Sequence, residues 1–74
     1  MKTPTVNLVQ TGQNIRQLRA NSGTSIRYLQ QALGFGTPQA IYKWQRGDTL
    51  PTIDNMVVLA AVLGVKIDDI LVVD

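Results

Sequence analysis

Glycines recur at short intervals along the chain and divide it into segments of helical length. Within the segments, apolar residues are spaced by three or four positions, the repeat of one face of an α-helix. Glycine commonly ends a helix because it adopts the left-handed backbone conformation at little cost. No segment alternates apolar and polar residues as a strand does, apart from a weak pair at Val6 and Leu8. The pattern predicts an all-α fold, a compact bundle of four helices with a short fifth.

Residues with a short side-chain oxygen precede four of the predicted helices. Such residues are good N-caps because they accept a hydrogen bond from a backbone N–H of the first turn. The predicted caps are Asn7, Ser25, Thr37 and Thr52. Pro38 then takes the first position of the third helix, where a missing N–H costs nothing. The first predicted helix follows its cap at Asn7 and runs to about residue 21, and the others span residues 26–33, 38–46, 53–63 and 67–71.

The length of 74 residues suits one domain. We predict a flexible N-terminal arm over residues 1–6, a folded domain over residues 7–71 and a tail over residues 72–74. The absence of cysteine and histidine removes disulfides, the usual neutral-pH base and the commonest transition-metal ligands. Asp68 and Asp69 are neighbours that do not face each other on a helix, so we interpret them as acids at a helix N-terminus. We therefore predict no enzyme, no cofactor and no metal site.

Two further features concern location and charge. No apolar run reaches the roughly 18 residues of a membrane span, and the N-terminus lacks the apolar stretch of a secretory signal, so a cytoplasmic protein is expected. Residues 1–46 contain six lysines and arginines and no acid, whereas residues 47–74 contain one lysine and five aspartates. This asymmetry indicates that one end faces a polyanion, or that a small domain has segregated its charges by chance.

The second and third predicted helices are joined by a short turn that contains glycine, which is the arrangement of a helix-turn-helix. At about 100° per residue, Ile41 and Trp44 share one side of the third helix. We assign Trp44 to the core on this ground. The opposite side carries polar and cationic side chains, those of Gln39, Tyr42, Lys43 and Arg46.

These side-chain types suit duplex DNA, because glutamine pairs with adenine and arginine or lysine with guanine or phosphate. Thr37 and Gln39 lie at the N-terminus of the third helix, which in this motif points into the major groove. Ser25 and Arg27 lie at the start of the second helix, which suits a phosphate.

Several alternatives stay open at this point. A polar helix face is also what an ordinary solvated surface presents, and Tyr42 can pack its ring on a neighbour instead. Arg16 and Arg19 are both candidates for contact with backbone phosphate. Solvated surface is an equal alternative for Arg16 and the favoured one for Arg19.

The chain resembles the Cro/repressor or xenobiotic-response-element (XRE) type of helix-turn-helix domain. The resemblance covers roughly residues 11–71. It rests on five ordered pieces, which are NIRQLR (14–19), SIRYLQQALG (25–34), PQAIYKWQRG (38–47), LPT (50–52) and LAAVLGV (59–65).

The resemblance implies a five-helix domain of the lambda-repressor type that binds operator DNA, usually as a dimer. It implies that the third helix is the recognition helix, with Gln39, Tyr42 and Lys43 facing bases, and that phosphates lie near Ser25, Arg27 and Arg46. Two departures are present. Ile26 stands where the family often has glutamine, and the turn over residues 35–38 is one residue longer than the common pattern.

The fourth predicted helix is apolar nearly all round. Its core face is predicted to carry Met56, Leu59, Ala60 and Leu63. Val58, Ala61 and Val62 fall on the other side and predict a self-association surface, because exposed apolar patches mark interfaces. The alternative is that the chain folds back over this side through Val6, Leu8, Ile67, Leu71, Val72 and Val73.

The sequence therefore predicts a regulator that binds double-stranded DNA with sequence specificity, as a homodimer. The alternative is a module that keeps the fold but binds a protein partner, such as an antitoxin.

Overall fold

Five α-helices make up most of the computed structural model, which describes residues 3–74. They are α1 (Leu8–Asn21), α2 (Ile26–Leu33), α3 (Gln39–Arg46), α4 (Ile53–Leu63) and α5 (Ile67–Ile70). Within the described part no strand forms beyond a single β-bridge. The predicted all-α fold with four helices and a short fifth is confirmed. Within residues 3–74, no helix is both long and apolar enough to cross a membrane.

Three of the four predicted N-caps are confirmed. The side chains of Asn7, Ser25 and Thr52 accept hydrogen bonds from the N–H groups of Gln10 (2.9 Å), Tyr28 (3.0 Å) and Asn55 (3.2 Å). Each bond reaches only three residues along the chain, which explains why the sequence reveals it.

The predicted cap at Thr37 is wrong. The N-cap of α3 is Pro38, and no side chain accepts a hydrogen bond there. Pro38 takes this position because its carbonyl accepts the first bond of the helix, from the N–H of Tyr42 at 3.2 Å. The helix therefore begins one residue later than predicted, and Thr37 lies before it with an exposed side chain.

The core joins all five helices. Ile15, Leu29, Ile41, Leu59 and Ile70, one from each helix, are fully buried. Trp44 is 4% exposed, which confirms its place in the core, and the ring of Phe35 meets it edge-on at 5.8 Å between centroids. Phe35 thereby holds the turn between α2 and α3 against the core. The predicted core face of α4 is also buried: Met56, Leu59, Ala60 and Leu63.

Helix α1 packs closely against α3 at Gly12. A Cβ at this position would overlap the carbonyl oxygen of Trp44 and lie 2.8 Å from that of Gln45. Glycine is therefore required here for the close approach of two backbones and not for a turn. This contact fixes α3 relative to α1.

The two ends of the described chain meet beside the start of α1. Val6 and Val73 form an antiparallel bridge, and the N–H of Asp74 donates to the carbonyl of Thr5 at 2.9 Å. Buried Thr11 completes the contact by accepting a hydrogen bond from the N–H of Val72 at 2.9 Å.

The terminal contact differs from the predicted loose arm (residues 1–6) and tail (residues 72–74), since Thr5 and Val6 pair with the residues after α5. The residues after α5 pack at the start of α1, while α5 itself packs against α4. A single bridge is too short to give an alternating pattern, so the sequence carries little sign of it. Residues 1–2 of the predicted arm lie outside the described part of the chain.

Candidate nucleic-acid interface

The two sides of α3 differ in burial as the helical repeat predicts. Ile41 and Trp44 are buried. The opposite side is exposed and carries the predicted polar and cationic set, Gln39, Tyr42, Lys43 and Arg46. Tyr42 is 43% exposed, so its ring is not packed away in the core. The structure therefore brings the predicted reading residues of α3 onto one accessible surface.

The N-terminus of α2 borders this surface. The hydroxyl oxygen of Ser25 accepts the hydrogen bond from Tyr28 that caps the helix, and Ser25 and Arg27 are both exposed. Ile26 is half-buried and packs against the core. The apolar residue at this position thus joins α2 to the core instead of offering a polar group.

Two concave regions flank the pair formed by Ile26 and Tyr42. The first has a volume of about 420 Å³, lies between α1, α2 and α3, and is lined by Arg16, Arg19, Ile26, Tyr42, Gln45 and Arg46. The second has a volume of about 540 Å³ and is lined by Ile26, Arg27, Gln30, Gln31, Pro38 and Tyr42. We call the first region the arginine cleft.

Arg19 has a structural role that the sequence does not reveal. The sequence favours solvated surface for this residue, but it is half-buried and hydrogen-bonded to α3 and to the loop before α2. Its Nε donates to Oε1 of Gln45 at 3.1 Å, and one terminal nitrogen donates to the carbonyl of Thr24 at 3.0 Å. The only signal in the sequence is its position three residues after Arg16, which puts both on one side of α1.

Arg46 makes an ion pair at the end of α3. Its Nε lies 3.0 Å from Oδ2 of Asp48, and both side chains are more than half exposed, at 60% and 53%. Pairs this exposed contribute little stability, because water screens the attraction. Asp48 is nevertheless a local anion that competes for Arg46 with any phosphate.

The apolar surface of α4 is arranged differently from the prediction. Val58 and Val62 are half-buried, and of the three predicted residues only Ala61 is exposed. Ile53 is 77% and Val57 is 53% exposed. Ile53, Val57 and Ala61 are spaced by four and share one side of the helix. We call these three residues the exposed α4 stripe.

Comparison with known families settles the class of the chain. A helix-turn-helix family model matches residues 15–70, which include the buried and exposed faces described above. The chain belongs to the XRE-type helix-turn-helix family. This membership confirms the predicted family and supports a function in DNA binding and gene regulation. No curated protein matches the chain.

Solved structures of similar fold come from several bacteria. The restriction-modification controller protein C.AhdI from Aeromonas hydrophila is 27% identical, with a TM-score of 0.75 over 85% of this chain and 94% of that one. The clp gene regulator ClgR from C. glutamicum is 21% identical, with a TM-score of 0.74 over 89% and 84%. The S. venezulae BldD DNA-binding domain is 24% identical, with a TM-score of 0.73 over 89% and 97%. The last two likenesses concern the fold alone.

Proposed function

We propose that this chain binds double-stranded DNA with sequence preference and regulates transcription, with α3 in the major groove. One observation carries the proposal. In a chain of the helix-turn-helix family, α3 buries Ile41 and Trp44 while it exposes an amide, a phenol and two cations on the opposite side. A recognition helix requires this division, because one side must pack while the other reaches base edges.

The residues proposed to face bases are Thr37, Gln39, Tyr42 and Lys43. All four are exposed, and Thr37 and Gln39 lie at the end of α3 that would enter the groove. Since no side chain caps α3, the hydroxyl of Thr37 is not used for that purpose. Glutamine discriminates adenine by a bidentate hydrogen bond, and lysine reaches the acceptor edge of guanine.

The residues proposed to contact phosphates are Ser25, Arg27, Arg46 and Arg16. They lie on both sides of the proposed reading surface, at the start of α2, at the end of α3 and on α1. The Ser25 hydroxyl accepts the capping bond, so its hydrogen is still available to donate to a phosphate oxygen. Such contacts fix orientation on the duplex while the base-facing residues supply specificity.

Dimerisation is part of the proposal, and its surface is the exposed α4 stripe. The predicted surface of Val58, Ala61 and Val62 keeps Ala61 and gains Ile53 and Val57, because the latter two are more than half exposed. A patch of contiguous exposed apolar side chains is more often an interaction site than a surface that stays in contact with water. A homodimer would present two α3 helices to half-sites about 34 Å apart.

The same stripe also suits a protein partner of another kind, as an antitoxin-like module would need. The two functions differ in whether the chain has affinity for DNA. A pure protein-binding module shows no salt-dependent DNA affinity, whereas a regulator does.

The test is a salt series of binding to random-sequence duplex DNA, with matched variants Arg46→Ala and Lys66→Ala. Arg46 is the proposed phosphate contact at the exposed end of α3, and Lys66 lies before α5. Both variants lose one positive charge at an exposed position. We expect the plot of log affinity against log salt to be less steep for Arg46→Ala by about 0.9, one phosphate contact, and unchanged for Lys66→Ala.

Equal slopes in the two variants would contradict the proposed placing of α3. No binding by the wild-type chain at low salt would contradict DNA binding itself and favour the protein-binding module. If binding is found, selection from a random library then yields the preferred site, and Gln39→Ala is expected to relax preference at one position of each half-site.

A further inference from the structure

Three arginines line the arginine cleft, Arg16, Arg19 and Arg46. Within residues 3–74, the one carboxylate paired with any of them is that of Asp48, on Arg46. The cleft therefore has an excess of positive charge that its own lining does not neutralise.

Arg19 differs from the other two because the fold holds it in place. It is half-buried, and both of its hydrogen bonds go to neutral acceptors, the amide oxygen of Gln45 and the carbonyl of Thr24. A guanidinium has five N–H donors, so these two bonds leave three available. The side chain is thus oriented by the protein while its charge remains uncompensated.

The chemistry of the cleft selects the class of ligand. Several guanidinium groups around one cavity suit a tetrahedral oxyanion, since the planar fork of arginine matches two oxygens of a phosphate. Tyr42 lines the same cleft from the exposed side of α3, and its hydroxyl adds a further donor. A phosphate bound here would contact α1 and α3 together.

We propose that the arginine cleft binds one backbone phosphate of the DNA, with Arg19 as its preoriented ligand, and that the uncharged side chain of Gln45 is what leaves Arg19 free to do so. This inference rests on the proposed DNA-binding function and adds a site to it. It assigns Arg19 and Gln45 a role in orienting the recognition helix, since the same two side chains join α1 to α3.

The deciding variant is Gln45→Glu, which replaces the neutral acceptor by a carboxylate of nearly the same shape. The carboxylate would pair with Arg19 and cancel its charge, so the fold is expected to keep or raise its melting temperature while DNA affinity falls. The matched control is Gln10→Glu, an equal change of charge at an exposed position of α1 about two and a half turns before Arg19.

At moderate salt, we expect Gln45→Glu to lower the affinity for the selected duplex at least tenfold, the size expected for loss of a charge-assisted hydrogen bond. Its salt slope should be shallower than that of the wild type by about 0.9, one phosphate contact. Gln10→Glu should change affinity by less than about twofold at moderate salt, because a charge at that distance is screened. Equal losses in the two variants would overturn the proposal.

A second measurement identifies the source of the phosphate. A duplex with a neutral methylphosphonate at successive positions should contain one position per half-site where the modification weakens the wild type but not Gln45→Glu. Absence of such a position would overturn the assignment to backbone phosphate. The assignment would also be overturned if inorganic phosphate bound saturably at Arg19 while the wild type and Gln45→Glu had the same affinity for DNA. If the wild-type chain binds no duplex at all, the proposed function fails first, which is a separate result.

Discussion

Substitution of Gly12 by alanine separates local helix propensity from tertiary packing, because the two predict opposite signs. Gly12 lies inside α1, where alanine is favoured over glycine by about 1 kcal/mol on propensity alone. The structure, however, allows no room for the methyl group. The added Cβ would overlap the carbonyl oxygen of Trp44 and lie 2.8 Å from the carbonyl oxygen of Gln45.

The expected loss of stability in Gly12→Ala depends on which atoms must move to make room for the methyl group. Both obstacles are backbone atoms of α3, so no side-chain rotation relieves the overlap, and α1 and α3 must move apart. Overpacking of this kind costs about 1–3 kcal/mol, and the rigid backbone puts this site at the upper end. After the propensity gain, we expect a net loss of about 2 kcal/mol in the free energy of unfolding. For a chain of this size that lowers the melting temperature by roughly 8–16 °C.

The assay is urea unfolding followed by circular dichroism, with Gly36→Ala as the control. A Cβ added at Gly36 would meet no atom within 4 Å, and the backbone there is not left-handed. Alanine at this position should therefore leave stability within about 0.5 kcal/mol of the wild type. A Gly12→Ala chain that is as stable as the wild type, or more stable, would refute the reasoning that close backbone approach fixes α3 on α1.

Three further substitutions test other parts of the molecule. Asp48→Asn should raise DNA affinity about two- to fivefold at low salt by releasing Arg46, and unchanged affinity in a titration would argue against a phosphate contact there. Val57→Asp should shift sedimentation toward the monomer and leave the melting temperature nearly unchanged, since Val57 is 53% exposed; identical sedimentation of both chains would remove the α4 stripe as the interface. Thr11→Val should lower the free energy of unfolding in urea by about 1–3 kcal/mol, because the N–H of Val72 loses its acceptor, and an unchanged midpoint would mean that the terminal contact adds no stability.

Much of the helical architecture could be predicted from the sequence because its determinants are local. The cap at Ser25 needs only a hydroxyl three residues before the N–H of Tyr28, and the C-terminal end of α2 needs only Gly34 in the left-handed region. The two sides of α3 follow from the helical repeat, which is why the prediction of Ile41 and Trp44 in the core is confirmed. The predicted start of α3 is wrong by one residue, because Thr37 and Pro38 both fit the local rules for a helix start.

Which side of α4 is exposed cannot be predicted from the local sequence. A helix that is apolar nearly all round has no repeat that tells the buried side from the exposed one. Packing against α2 and α5 decides it, burying half of Val58 and Val62 and leaving Ile53 and Val57 exposed. The sequence therefore indicates an interaction surface on α4 but not which residues form it.

Patterns within the chain are enough to establish the all-α class, most helix ends, the face that α3 exposes and the resemblance to the helix-turn-helix family. These depend on hydrogen bonds and repeats within a few residues, which a linear pattern records. The roles of Gly12, of Arg19 with Gln45, and of Thr11 with Val72 emerge only when the helices are packed together. The partners in those contacts lie 26 residues apart for Arg19 and 61 for Thr11, and no local repeat relates positions so distant.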